Sequence, residues 1–325
     1  MKALVLVGKD LPLAYQEVTN PVASNGETLV YLKAAALNHR DIWIQQGQYG
    51  GIKYPTILGS DGAGITADGQ EVVILPSLDW GDNPTVQAKK FSILGLPRDG
   101  TFAEEIAVPS ENLFPKPAHL TWEEAAALPL AGLTAYRALF SKCQLEATDK
   151  VLITGVGGGV AMVAMQLALA VGCQVYVTSS DDNKIEKAVK IGAAGGINYK
   201  KEAWAKELQS QVGGFDVIID SAAGDGFSDL VRLANPGARI SFFGGTRGAI
   251  NNLNPQMIFW KQISIFGTSM GTNQEFEKML NFVTKNKIHP IIDSVFPISE
   301  GNEACGVMEK GSQFGRIVLK INYAN

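Results

Sequence analysis

Between Val151 and Ser180 the chain carries no charged residue, a run long enough on length alone to cross a bilayer. Its punctuation points elsewhere. Gly155, Gly157, Gly158 and Gly159 split it into a strand-like VLIT, a glycine loop, a helix-like VAMVAMQLALAVG and a second strand-like QVYVTSS. A run that is apolar on every side is what a buried parallel sheet and its covering helix require. The pattern continues along the chain. Strands are expected at 151–154, 174–178, near 196–199, at 215–220 (FDVIID), over ARISFFG to Gly244 and over QISIFG at 262–267. Helices are expected at 158–171, 182–191, 201–211 and near 226–234. Strands alternating with helices mean βαβ units and a parallel sheet, an α/β architecture.

The rest of the chain has a different texture. The first 120 residues read as short strands with turns, among them KALVLV, TLVYLKAAAL, EVVILP and EEIAVP. Thr121 and Glu124 have the spacing of a capping box that opens a helix, and a second helix is expected over Gly132–Lys142. Helix 273–285 is followed by IIDSVFP and GRIVLKI, which return to the opening texture. At ~150 residues per domain, 325 residues make two domains. One is discontinuous, 1–121 plus 269–325, around an inserted α/β domain at 122–268.

Composition excludes several classes. With 46% apolar residues the chain is not disordered. A net charge of −4 without any dense Lys/Arg run favours neither nucleic acid nor a membrane surface as partner. Cys143, Cys173 and Cys305 are too few and too scattered for a disulfide framework or a cysteine-rich zinc site. A reducing cytoplasm is the expected setting, because the apolar run in MKALVLVGKD is too short for a secretion signal.

The glycine loop carries the chemistry. Gly155, Gly158 and Ala161 recur at every third residue between a hydrophobic strand and a long apolar helix, with Gly157, Gly159 and Val160 completing the turn. Glycine lets backbone N–H groups approach a pyrophosphate at the positive end of the helix, and alanine is tolerated at the third position. An NAD site places an acid near the end of the second strand. Here Ser179 and Ser180 stand there, with Lys184 a helical turn on, a set suited to a 2′-phosphate. Asp181 and Asp182 are open to two readings, as ribose-binding acids or as the cap and first turn of a helix. The expected cofactor is NADPH.

At these motifs the chain resembles the medium-chain dehydrogenase/reductase superfamily, and most of all its zinc-independent quinone oxidoreductase branch. The resemblance spans ALNHRD with Asn38 and Asp41, GQY with Tyr49, PTILGSDGAG, DGTFAEEIAVP, LPLAGLTAYRAL, GVGGGV, INY, FDVIIDSAAG, RISFFGG, SIFGTSMG and GRIVLKI. It implies a GroES-like distorted β-barrel domain made from both chain ends, a Rossmann domain, and a catalytic cleft between them. It also implies a homodimer or homotetramer joined through QISIFG. Asn38, Thr134, Tyr199, Phe243, Gly244, Gly245, Phe266, Gly267, Thr268 and Arg316 are implied along the cofactor. The implied acceptor is a quinone or an α,β-unsaturated carbonyl.

Zinc-bearing relatives hold a catalytic metal at positions that match Asn38, Ser60 and Ala131, where this chain offers an amide, a hydroxyl and a methyl group. A catalytic zinc needs three N, S or carboxylate donors, so no metal is expected. The stretch matching their structural-zinc lobe, 79–98, has no cysteine. Asn38, Thr134 and Tyr49 are the candidate catalytic residues. Tyr49 is either a donor to the acceptor's oxygen or a packing aromatic, and Trp43 stands where relatives often carry tyrosine. The rival functions are a metal-using alcohol dehydrogenase and a non-catalytic nucleotide-binding protein with a sensory or RNA-binding role.

Overall fold

The computed structural model describes residues 1–322. They form two compact units, 134–270 and a second unit assembled from 1–133 and the chain from 271 onward.

The inserted unit is built on six parallel strands: β1 (Lys150–Ile153), β2 (Gln174–Ser179), β3 (Gly195–Asn198), β4 (Phe215–Asp220), β5 (Ala234–Phe242) and β6 (Ser264–Gly267). Their spatial order is 3-2-1-4-5-6, so β1 and β4 meet at the centre where the winding reverses. Ligands of such sheets bind at that reversal, beyond the carboxyl ends of the strands. Helices α1 (Gly159–Val171) and α2 (Asp182–Ile191) begin beyond those ends. Leu152, Phe215, Ile218, Phe227 and Ile240 are buried together in one apolar core. Truncating either phenylalanine there to alanine costs about 3–5 kcal/mol.

The discontinuous unit is all-β at its centre. Strand Glu27–Ala36 pairs antiparallel with Asp61–Thr66, Glu105–Pro109 and Arg316–Lys320. Arg316–Lys320 in turn pairs parallel with Ile292–Pro297, so the two ends of the chain share one sheet. A second sheet joins Lys2–Leu6 to Ala14–Glu17 and Thr56–Ile57. Leu4, Leu32, Leu37, Phe102 and Ile317 fill the core of this unit.

Several local expectations are corrected. The division falls at Leu133 and not at 121, because helix Trp122–Ala126 packs on Glu27–Ala36, Asp61–Thr66 and Arg316–Lys320. The capping box that opens this helix is present, with Thr121 Oγ1 accepting from Glu124 N at 3.2 Å and Glu124 Oε2 from Thr121 N at 2.9 Å. The helix expected over Gly132–Lys142 begins at Pro129, a residue suited to a first helical turn, and changes at Arg137–Lys142 to a π-helical winding. The helix at 201–211 starts only at Trp204, after Ala203 in a left-handed conformation. Three further helices lie where none was expected: His39–Gln45, Pro255–Lys261 and Gly301–Lys310. Among the described residues no helix is long and apolar enough to cross a membrane.

Candidate functional site

The inserted unit builds its site from backbone. Gly155 and Gly157 have φ of +67° and +111°, a region that L side chains enter at a cost of about 1–2 kcal/mol. A Cβ on Gly155 would stand 2.7 Å from Ser221 Oγ. The loop they form delivers Gly158 as the N-cap of α1, leaving that helix's first N–H groups for an anion. Asp220, buried at the end of β4, secures the base of this loop. Its Oδ1 accepts from Thr154 Oγ1 at 2.6 Å, and its Oδ2 accepts from Ala223 N at 2.7 Å. Asp220 was not singled out in the sequence, because Thr154, the partner that ties it to the loop, is 66 residues away.

At the ends of β2 and β3, Ser179 is buried and its hydroxyl accepts from Asp181 N at 3.2 Å. Asp181 caps α2, its carboxylate accepting from Asn183 N at 2.9 Å, and Asp182 follows in the first turn. The capping reading of this pair is the one the geometry contains. Tyr199 lies at the end of β3, and the Arg247 guanidinium stacks over its ring at 4.6 Å. Arg247 was missed in the sequence, although it sits three residues past Gly244 in FFGGTRG.

Beyond the ends of β5 and β6 lies a cavity of about 460 Å³. Phe243, Gly244, Gly245, Gly267 and Thr268 line it, joined by Ile250 from the following loop. Phe266 stands in β6 itself and is not among the lining residues. Thr268 Oγ1 is buried without a hydrogen-bond partner. A buried orphan hydroxyl is costly, and its place beside this cavity fits a ligand that supplies the partner. The glycine cradle and the Thr268 hydroxyl both suit a dinucleotide. Thr134 is buried in helix Pro129–Tyr136.

The discontinuous unit builds its site from charged side chains. Asp61, fully buried, accepts from Arg316 Nη2 at 2.5 Å, Asn38 Nδ2 at 2.9 Å and the backbone N–H of Leu130 at 2.7 Å. Arg316 Nη1 also donates to Asn38 Oδ1 at 3.0 Å. Asn38 is thus clamped between an acid and a base. Burial pushes the Asp61 carboxyl up, and Arg316 pulls it back toward ionisation. Asp41 closes the first turn of helix His39–Gln45, its Oδ2 accepting from Asn38 N at 2.8 Å. Burial raises its carboxyl to about 6. Tyr49 is half-buried against the Arg40 guanidinium, whose carbon lies 5.6 Å from the ring centre.

Two of the three positions matched to the family's zinc ligands make other contacts in this structure. Asn38 spends its oxygen on Arg316 and its nitrogen on Asp61. Ser60 Oγ donates to the Leu94 carbonyl at 2.8 Å and accepts from Arg40 Nη1 at 2.6 Å. Ala131 has no donor. Among the described residues no three His, Cys, Asp or Glu side chains gather as a metal-binding group. In the 79–98 segment the turn is closed by Trp80, which packs edge-on to Phe91 at 5.3 Å and donates its indole N–H to the Asn83 carbonyl at 3.0 Å.

Comparison with known proteins agrees with both halves of this description. Residues 24–118 match the alcohol dehydrogenase GroES-like domain and residues 159–285 the zinc-binding dehydrogenase family. The zinc-type alcohol dehydrogenase-like protein YogA of Leptosphaeria maculans is 32% identical, over 95% of each chain. A quinone oxidoreductase of Mus musculus is more distant, at 27% over 96% of this chain and 94% of its own. Among solved structures, an NAD-dependent alcohol dehydrogenase superposes with a TM-score of 0.92 at 32% identity, covering 99% of this chain and 100% of that one.

Proposed function

The chain belongs to the medium-chain dehydrogenase/reductase superfamily and is an oxidoreductase, and we propose that its cofactor is NADPH. Its acceptor in this reading is a quinone or an α,β-unsaturated carbonyl compound, reduced without a metal ion.

The observation that carries the reading is the occupancy of the metal positions. Asn38 and Ser60 are committed to guanidinium groups and Ala131 is inert, so the family's Lewis acid has no ligands. In this family the metal serves to stabilise the alkoxide of a simple alcohol or ketone. A conjugated acceptor delocalises the charge that develops on hydride addition, and hydrogen-bond donors then suffice. The mouse quinone oxidoreductase and a crotonyl-CoA reductase of Streptomyces collinus, 27% identical over 93% of this chain and 80% of its own, bear names of that chemistry.

The ends of β2 and β3 support NADPH. Asp181 is engaged as a helix cap through one carboxylate oxygen, and Asp182 lies in the first turn of the same helix, where both stabilise its N-terminus. Ser180, Lys184, Tyr199 and Arg247 form a neutral-to-cationic rim that suits a phosphate. When bound, the dinucleotide supplies the hydride. The glycine loop and the N-terminus of α1 hold its pyrophosphate, and Thr268 with Gly244, Gly245 and Gly267 shape the cavity beyond β5 and β6. Asn38, Thr134 and Tyr49 are the catalytic residues in this reading.

β6 is the edge of its sheet, and the helix before it exposes Phe259 and Trp260 at 52% and 79%. A second copy covering that edge would make a homodimer, and a further pairing a homotetramer. Three buried free thiols suit the reducing cytoplasm.

The test is a turnover panel of quinones, enals and enoyl thioesters with NADPH, using metal-analysed, chelator-dialysed protein. Turnover without bound metal is expected. Oxidation of simple alcohols that tracks a stoichiometric metal would overturn the reading.

A further inference from the structure

Two guanidinium groups are buried in the discontinuous unit, and they differ in what they touch. Arg316, 4% exposed, is neutralised by direct contact with Asp61. Arg40, 7% exposed, touches only neutral acceptors: Ser60 Oγ at 2.6 Å and the Leu94 carbonyl at 2.9 Å, both from Nη1. Its Nε is buried without a partner, and among the described residues no carboxylate is in ion-pair contact with it. Asp41 and Asp61 act on it only through space. Leaving a cation this dry and out of contact with an anion is unfavourable by several kcal/mol, unless an anion arrives.

The surroundings say which anion. Ser60 stands at a metal-ligand position of the zinc-bearing relatives, and its hydroxyl is held by the Arg40 fork. The face of Tyr49 backs the same guanidinium, and the Tyr49 hydroxyl has no hydrogen bond within the described residues. A fixed positive charge and a phenol therefore stand together, beside the residue that the resemblance matches to a metal ligand.

Resting on the reading above, we propose that Arg40 binds the carbonyl oxygen of the conjugated acceptor and stabilises the negative charge that appears there. The β-carbon of the acceptor accepts a hydride with its two electrons. The C=C pair moves to form a new C=C bond to the carbonyl carbon, and the C=O pair moves onto oxygen. That enolate oxygen lies against the guanidinium, and a proton from solvent at the α-carbon completes the reduction. Ser60 and Leu94 are positioning groups, because they fix the fork. Preorganised charge of this kind is worth about 10²–10³-fold in rate per donor removed. A guanidinium keeps its proton at any working pH, so it replaces a metal without adding a titration.

Arg40→Ala is assayed with NADPH and an α,β-unsaturated carbonyl, alongside the wild-type chain. Absence of wild-type turnover with every conjugated acceptor would sink the proposed function itself and is read separately. With the wild type active, Arg40→Ala should lose about 10²–10³-fold in kcat while NADPH affinity stays within twofold. Added guanidinium ion should restore part of the rate, and urea at equal concentration should not. Where Arg40→Ala does not fold, Arg40→Lys decides. It should retain turnover but acquire an alkaline limb in its pH–rate profile that the wild type lacks. Wild-type kcat in Arg40→Ala, equal rescue by urea, or a flat profile in Arg40→Lys would overturn the proposal.

Discussion

The glycine loop of the inserted unit and the charged cluster of the discontinuous unit are built from opposite materials. The loop uses backbone N–H groups, and its demands fall on residues a few positions apart, Gly155, Gly157 and Gly158. The cluster uses side chains brought together from positions 38, 40, 41, 61 and 316. Backbone recognition is robust because nothing is buried that must later be neutralised. Side-chain recognition in a dry interior is strong but fragile, because each charge depends on a partner far away in sequence.

The largest effect that would sharpen this contrast comes from breaking the Asp61–Arg316 pair. Arg316→Met leaves a buried carboxylate with only neutral donors, and should cost about 3–5 kcal/mol. Hydrogen exchange should then quicken in peptides from 27–66 and 316–320 while those from 150–220 keep their protection. Equal loosening of both regions would erase the distinction.

Asp41 tests the same cluster by pH. The folded protein holds the Asp41 proton up to about pH 6, while the unfolded chain releases it near 3.8. Between those values the folded state binds more protons, so this group makes stability fall as pH rises, by about 3 kcal/mol in all, and contributes no slope above or below that window. Asp41→Asn keeps an acceptor for the Asn38 N–H and should remove that fall. Denaturant titrations of both proteins at pH 4 and pH 7 measure it; parallel curves would mean that Asp41 stays ionised throughout.

On the backbone side, Lys184→Ala and Arg247→Ala should each weaken NADPH by about 1.5–3 kcal/mol, the range for a charge-assisted hydrogen bond. Both should leave NADH affinity almost unchanged in fluorescence titrations. Equal losses for the two cofactors would move the phosphate contact elsewhere. The smallest expected effect is Gly155→Ala. It forces an L side chain into the left-handed region for about 1–2 kcal/mol, read as a fall in melting temperature and in affinity for both cofactors alike.

The same contrast explains what could be read from the sequence. Helix Asp182–Ile191 and strand Phe215–Asp220 lie where periodicity and flanking caps put them, because local spacing dictates both. The loop glycines were legible for the same reason. Helix His39–Gln45 was not, since it is short and buries Arg40 and Asp41 among apolar Ile42 and Ile44, which destroys any amphipathic pattern. Helix Pro255–Lys261 did carry a signal, Asn254 capping and proline at its start, but MIFW shows no polar face. The pairing of Asp61 with Arg316 has no local signature at all. It exists only after the sheet has aligned Glu27–Ala36 between Asp61–Thr66 and Arg316–Lys320.

That alignment has a consequence for the chain as it leaves the ribosome. Asp61 emerges 255 residues before the arginine that neutralises it, and strand Glu27–Ala36 waits longer still for one of its neighbours. The inserted unit is contiguous and has all its strands in hand once Gly267 has been made. During synthesis, therefore, the segment made first is finished last, and the parallel sheet is complete while the other sheet still lacks strands Ile292–Pro297 and Arg316–Lys320. Pulse-labelling of nascent chains should find protection over 150–267 before it appears over 27–66.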